Sequence, residues 1–112
     1  MNKSYILKKS YEIENLLKNK KSVGSRFYVI YYKQNNTQHV HIAVSASKKL
    51  GDAVVRNYEK RVIKEILRSH IEKLKGFDML FVIKSNSLDL EFCEKEKQIK
   101  YLIKKMTVKG EN

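Results

Sequence analysis

The sequence predicts an α+β fold, a two-layer sandwich of a small mixed sheet with helices. Three observations carry that expectation. Residues 26–33 and 39–47 alternate in the period of a strand, residues 77–84 are an almost unbroken apolar run, and residues 53–75 repeat with the period of a helix. The chain has 112 residues, 42% of them hydrophobic, which suits one domain spanning residues 1–112 with one modest core. It contains no proline, so its helices need not be broken by one.

The elements follow in order. Residues 11–17 form a first helix: Ser10 is placed to cap it, Glu12 suits its positive start, and Ile13, Leu16 and Leu17 share one face. Lys18 to Lys21 load its far end with charge, and Gly24 marks the exit, with room for a short strand at Ser22 and Val23. In the strand at 26–33, Phe27, Val29 and Tyr31 point one way and Tyr28, Ile30 and Tyr32 the other. The polar segment 34–38 carries Asn35-Asn36, a turn signal, so the strands on either side of it read as an antiparallel hairpin. In the strand at 39–47, Val40, Ile42, Val44 and Ala46 make an apolar face, while His41, Ala43, Ser45 and Ser47 make a small, polar one able to floor a groove. After Lys48-Lys49-Leu50-Gly51, Asp52 is a good cap for a helix running to about residue 75, closed by Gly76. Residues 77–84 then form a buried central strand. Ser85 to Ser87 turn the chain, and Asp89 caps a last helix to about Met106, with Phe92, Ile99, Leu102, Ile103 and Met106 as its apolar set and a frayed tail beyond. The order is helix, strand, strand, helix, strand, helix, with the extra short strand optional.

Charge narrows the function. Lys and Arg number 24 against 12 Asp and Glu, a formal net charge of +12. Such self-repulsion costs stability unless a densely anionic partner offsets it, and nucleic acid is the usual one, ahead of a membrane surface or an acidic protein. The single cysteine, Cys93, allows no internal disulfide and no thiolate metal site, which fits a cytoplasmic protein. Neither a signal peptide nor a membrane span is expected.

The helix at 53–75 concentrates that charge. At 100° per residue from Arg56, Lys60 falls near 40°, Lys64 near 80°, Asn57 near 100°, Arg68 near 120° and Arg61 near 140°. Tyr58, Val55, Val62, Ile63 and Ile66 fall on the other side, between about 200° and 340°. Arg56, Lys60 and Lys64 make a row about 12 Å long, able to track several phosphates of a folded RNA. An ordinary solvated face mixes signs, whereas this one has only Glu65 at its edge. Lys48 and Lys49 extend the patch, and Asn57 can bond a ribose, a base edge or a hydrated ion.

The run Ser45-Ala46-Ser47-Lys48-Lys49-Leu50-Gly51-Asp52-Ala53-Val54-Val55-Arg56-Asn57-Tyr58-Glu59-Lys60-Arg61 resembles the signature of the bacterial ribonuclease P protein subunit, a Ser-Lys-Lys-x-Gly-x-Ala-Val segment joined to an Arg-Asn-x-x-Lys-Arg helix. Leu7-Lys8-Lys9, Ser22-Val23 with Arg26, and Phe77-Asp78 extend the likeness over nearly the whole chain. The resemblance implies a monomeric protein, one per RNA, bound to a large catalytic RNA whose complex removes the 5′ leader of precursor tRNA. The RNA performs the hydrolysis with magnesium ions held mainly by RNA and substrate, and the protein, with no catalytic and no metal-ligating residue assigned to it, improves substrate affinity and supports metal binding. It also implies a left-handed βαβ crossover through the basic helix, against the right-handed default. Carried over by residue, the RNA-subunit contact falls on Arg56, Asn57, Lys60 and Arg61, with Lys64 where many members have Arg. The leader cleft falls on Lys9, Ile13 and Leu17 of the first helix and on Tyr31, Ala43, Ser45 and Ser47. Two departures stand out: Ile13 and Leu17 occupy positions where the family often has Phe, and Tyr58 and Glu59 follow Asn57 where a basic residue is common. A stacked base is worth about 1–3 kcal/mol, so leader contact here is expected to weaken or to lean on Tyr28, Tyr31 or Tyr32.

Other groups have plainer readings. His39 and His41, at i and i+2, lack the further ligands a zinc site needs and the pocket that acid–base cleavage needs, and read as strand surface. Cys93 reads as a small core residue. Tyr5, Tyr11 and Tyr101 read as packing, and Lys104-Lys105 as a solvated helix end. Competing functions are a ribosome-associated or general structured-RNA-binding module, which charge alone allows equally well, and a protein-only nuclease, which the scattered acids disfavour.

Overall fold

The computed structural model describes residues 21–35 and 39–110, apart from the side chains of 109 and 110. The expected first helix, and with it Lys9, Ile13 and Leu17, lies outside the described residues. Four strands, β1 (Ser22–Gly24), β2 (Tyr28–Gln34), β3 (His41–Ala46) and β4 (Phe77–Ile83), form one sheet in the order β1-β2-β4-β3. The helices are α1 (Ala53–Arg68), the single turn α2 (Ile71–Leu74) and α3 (Phe92–Gly110). The α+β reading stands, the short strand at Ser22 is present, and the sheet is mixed: β2 runs antiparallel to β1 and β4, while β3 runs parallel to β4.

The expected hairpin does not form. β4 inserts between β2 and β3, so the two strands consecutive in sequence never pair. The reason is burial: five of the seven β4 side chains are buried, and a strand so apolar is satisfied only with a neighbour on each edge and cover on its faces. The connection after β2 straddles the entry of β4. Asn35 N donates to Gly76 O at 2.8 Å, and Gly76 N donates to His39 O at 2.9 Å. Gly76 sits at φ 89°, a left-handed conformation that favours glycine.

The core lies between one sheet face and the helices. Tyr28, Ile30 and Tyr32 of β2, Met79, Phe81 and Ile83 of β4 and Ile42 of β3 meet Val62, Ile63, Ile66 and Leu67 of α1 and Ile99, Leu102, Ile103 and Met106 of α3. Alternation in the strands and the 3.6-residue period in the helices deliver this set directly.

Several boundaries differ from expectation. The long helix ends at Arg68 rather than near residue 75. Ser69 Oγ donates to Ile66 O at 2.9 Å, and His70 takes φ −115°, ψ 10° before α2 begins. Serine and histidine in succession are weak helix formers, and the serine hydroxyl competes for the backbone acceptors. Asp89 does not cap the last helix but ends a 3₁₀ turn, Ser85–Asp89, and α3 starts at Phe92 and continues past Met106 to Gly110. The chain offers no glycine or proline before that point to stop it. Phe92 and Tyr101 are half-exposed and Cys93 is exposed, so none of them is the core residue anticipated. They lie off the stripe set by Ile99, Leu102, Ile103 and Met106, and that stripe is what the sheet covers.

The inner side of α1 holds a second correction. Tyr58, placed among the apolar positions, is 55% exposed, whereas Glu59 is only 3% exposed. Glu59 meets Lys95 of α3 at 2.8 and 3.0 Å, a bidentate ion pair sealed within the helix layer. The Lys95 ammonium also stands 5.7 Å from the Tyr58 ring centroid, so the tyrosine roofs the pair from outside. Below it, burial pushes the Tyr28 phenol up to about 12, with the Ser87 hydroxyl opposing and the Glu59 charge adding to the rise.

Candidate nucleic-acid interface

The basic helix is launched from a tightly specified turn. Lys48–Leu50 forms one 3₁₀ turn that buries Leu50 and leaves Lys48 and Lys49 exposed. Gly51 follows at φ 142°, and a Cβ there would stand 3.2 Å from the Val55 side chain. Backbone conformation and space therefore both demand glycine. Asp52 then caps α1, accepting from Val55 N at 3.1 Å. The Gly-Asp pair thus fixes where the helix starts, and with it the angular position of every cation that follows.

The cations emerge as the helical period requires. Asn57, Arg61 and Arg68 are exposed, and Arg56, Lys60 and Lys64 are partly covered along their stems. Asn57, Lys60, Arg61, Lys64 and Glu65 line a groove of about 280 Å³. Arg68 stands 3.6 Å from Glu65, a loose surface pair. Among the described residues no ion pair engages Arg56, Lys60, Arg61 or Lys64. Arg56 Nε is buried and lacks an acceptor, and an unmade bond to such a group costs about 1–3 kcal/mol. This surface therefore holds donors short of acceptors. The charge of Arg56, Lys60, Arg61 and Lys64 is likewise left without an anionic partner among the described residues, and phosphates would supply one.

The outer face of the sheet is a different surface. Leu80 pairs with Tyr31 on one side and Ala43 on the other, and Val82 pairs with Val29 and Ser45 in the same way. Ala43 and Leu80 form a small apolar cluster of their own, with Tyr31 and Val82 packed against it. Tyr31, Ala43 and Ser45, expected together in a cleft, do share this face, and Ser47 lies exposed just beyond the end of β3. Tyr28 and Tyr32 do not, being 0% and 4% exposed in the core, so Tyr31 alone of the three can offer a ring here.

Sequence reasoning missed Leu80 and Val82 as floor residues, because their place depends on the non-local pairing of β4. It also missed the polar row next to them. His41 Nδ1 lies 2.8 Å from Asp78 Oδ1, which also accepts from Asn35 Nδ2 at 2.9 Å. His41 is thus tied to the strand beside it. The surface assignment for that histidine stands, with a definite partner added. Among the described residues no group of three His, Cys, Asp or Glu side chains is arranged to hold a metal ion, and no helix is long and apolar enough to cross a membrane.

Comparison with known proteins places this geometry. A family profile described as Ribonuclease P matches residues 1–107. The ribonuclease P protein component of Clostridioides difficile is 36% identical over 109 residues, covering 96% of each chain. That of Thermoanaerobacter sp. strain X514 is 38% identical over 100 residues, covering 88% of this chain and 86% of the other. Among solved structures, the RNase P protein of Staphylococcus aureus superposes with a TM-score of 0.84 at 29% identity, covering 91% of this chain and 94% of that one. The Thermotoga maritima RNase P protein shares the fold at a TM-score of 0.81 and 23% identity, over 88% of this chain and 94% of its own.

Proposed function

The chain belongs to the bacterial ribonuclease P protein family, and from that membership we propose that it binds the catalytic RNA of ribonuclease P through α1 and the 5′ leader of precursor tRNA on the outer face of its sheet. The observation that carries the first half is the row Arg56, Lys60, Arg61 and Lys64, none of them ion-paired among the described residues, with Arg56 Nε buried and short of an acceptor. Phosphates neutralised there release counterions, which makes assembly salt-dependent. Arg56 and Arg61 can fork onto phosphate oxygens, Lys60 and Lys64 act as point charges, and Lys48 and Lys49 lengthen the track. Asn57, exposed between them, is placed for a ribose or base edge.

The second half rests on Tyr31 above Leu80 and Ala43. Small side chains beside a half-buried ring leave room for an unstacked base, and single-stranded RNA is bound in this way. Ser45 and Ser47 add hydroxyls at one end of that face. The chain's own part is to hold and orient both RNAs. In this proposal magnesium is held mainly by the RNA and substrate phosphates, and the RNA carries the hydrolysis. The protein acts in the cytoplasm, one copy per RNA.

The test adds the purified protein to the catalytic RNA and follows precursor-tRNA cleavage at low magnesium. The expected result is efficient 5′ leader removal by the mixture and none by the protein alone. Cleavage by RNA-free protein, or no help to the RNA, would overturn the reading.

A further inference from the structure

A concavity of about 600 Å³ opens between the α1–α2 junction, α2 and α3. His70, Lys73, Lys100, Ile103, Lys104 and Thr107 line it, and it shares no residue with the groove along α1. Three lysines converge from two helices: Lys100 and Lys104 stand one turn apart on α3, and Lys73 faces them from α2. The nearby acids do little to neutralise them. Glu96 reaches Lys100 only at 3.5 Å, and Glu72 is drawn to Lys75 at 2.9 Å. Lys73 and Lys104 have no acidic partner among the described residues. Like charges so gathered repel one another, and only a bound anion turns that cost into attraction.

The helix break at Ser69 creates this site. Had α1 continued to residue 75 as its period suggested, Lys73 would have stayed on the straight helix. The turn at His70 swings α2 toward α3 and leaves the imidazole in the wall, its Nε2 buried and without a hydrogen-bond partner. Ile103, 3% exposed, is the one apolar lining residue, too little to seat a lipid chain. Lysine ammonium groups around an open concavity suit a phosphate that passes through.

We infer that this concavity is a second RNA contact, in which Lys73, Lys100 and Lys104 hold a backbone phosphate of an RNA segment separate from the one on α1. The inference rests on the reading that the chain binds RNA and adds a point of attachment to it. His70 supplies a built-in reporter. Burial lowers its pKa, Lys73 and Lys100 lower it further, and Glu96 opposes them. A phosphate held by those lysines would cancel their effect and raise it.

Two measurements on the full chain test this. In the first, the salt dependence of binding to the catalytic RNA is compared for the wild type, Lys73→Ala/Lys104→Ala and Arg56→Ala/Lys60→Ala/Arg61→Ala. The lysine pair should lower the slope of log affinity against log salt by about 0.7–0.9, the contribution of one phosphate contact. The exposed positions of these lysines leave the fold intact, and Lys73→Glu should lower affinity further. An unchanged slope in the lysine pair, with a reduced one in the α1 triple, overturns this inference and leaves the proposed function standing. Unchanged slopes in both overturn the proposed function as well. In the second, the His70 imidazole is titrated by NMR with decauridylate or with inorganic phosphate. An upward pKa shift that is larger with decauridylate supports an RNA contact. A shift with inorganic phosphate alone overturns it in favour of an adventitious ion only.

Discussion

The outer face of α1 presents Arg56, Asn57, Lys60, Arg61 and Lys64, donors with no ion pair among the described residues and, in Arg56, one buried group short of an acceptor. The outer face of the sheet presents Tyr31, Leu80 and Ala43 in one cross-strand row, apolar and small, with hydroxyls at its margin. Among the described residues, the first surface has charge but no floor for a base, and the second has a floor but no cluster of cations. One protein thus separates two ways of binding RNA. Phosphate contacts give affinity and orientation with strong salt dependence, while stacking on a ring discriminates single strands and responds weakly to salt.

The comparison breaks most completely if the inner side of α1 fails. Glu59 and Lys95 are 3% and 4% exposed, and removing one partner strands the other as a buried charge. Glu59→Gln or Lys95→Met should therefore destabilise the fold by about 3–5 kcal/mol in denaturant unfolding, disabling both surfaces together. The double change Glu59→Leu/Lys95→Met should recover most of that loss, since an apolar pair of similar volume carries no desolvation cost. If single and double variants proved equally unstable, the pair would be acting through shape rather than charge.

Next in size is the α1 surface itself. Arg56→Ala/Lys60→Ala/Arg61→Ala should weaken assembly with the catalytic RNA on the order of 100-fold, through three lost charge-assisted contacts, with the melting temperature little changed. The sheet face should show a smaller and different effect. Tyr31→Ala should cost about 1–3 kcal/mol in affinity for precursor tRNA carrying a leader and nothing for leaderless tRNA. Equal losses for both substrates would remove Tyr31 from the leader site.

How these surfaces were legible follows from their construction. The row on α1 depends only on the helical period, which is local, so the angles of Arg56, Lys60 and Lys64 follow from their spacing along the chain. Glu59 was equally readable, since its angle of about 300° places it inside the apolar arc, yet an acid is not expected to be buried without its partner, and Lys95 lies on another helix. The sheet face was legible only in part. Alternation put Tyr31 on one side of β2 and Ala43 and Ser45 on one side of β3, but nothing local shows that β4 comes between them. Leu80 and Val82, which join the two, therefore went unnamed, and the hairpin reading was wrong for the same reason. The break at Ser69-His70 was also missed, because a two-residue interruption leaves the apolar period almost undisturbed.

The smallest expected effect concerns pH. The folded-state pKa of His70 lies below its ordinary value, chiefly through burial, so the folded chain resists its protonation. Its contribution to stability is complete above the usual histidine range and is lost as pH falls through the lowered pKa. Unfolding midpoints should fall modestly on acidification through that window, and His70→Gln should flatten the dependence. A wild-type profile unchanged by that substitution would assign the loss to other groups.

The separation of the two surfaces is tested most directly by measuring binding of the catalytic RNA against salt for the wild type, the α1 triple and Tyr31→Ala. The account predicts that the triple lowers the slope of log affinity against log salt by about 2–3, while Tyr31→Ala leaves it at the wild-type value. A slope unchanged by the triple, or reduced equally by Tyr31→Ala, would contradict it.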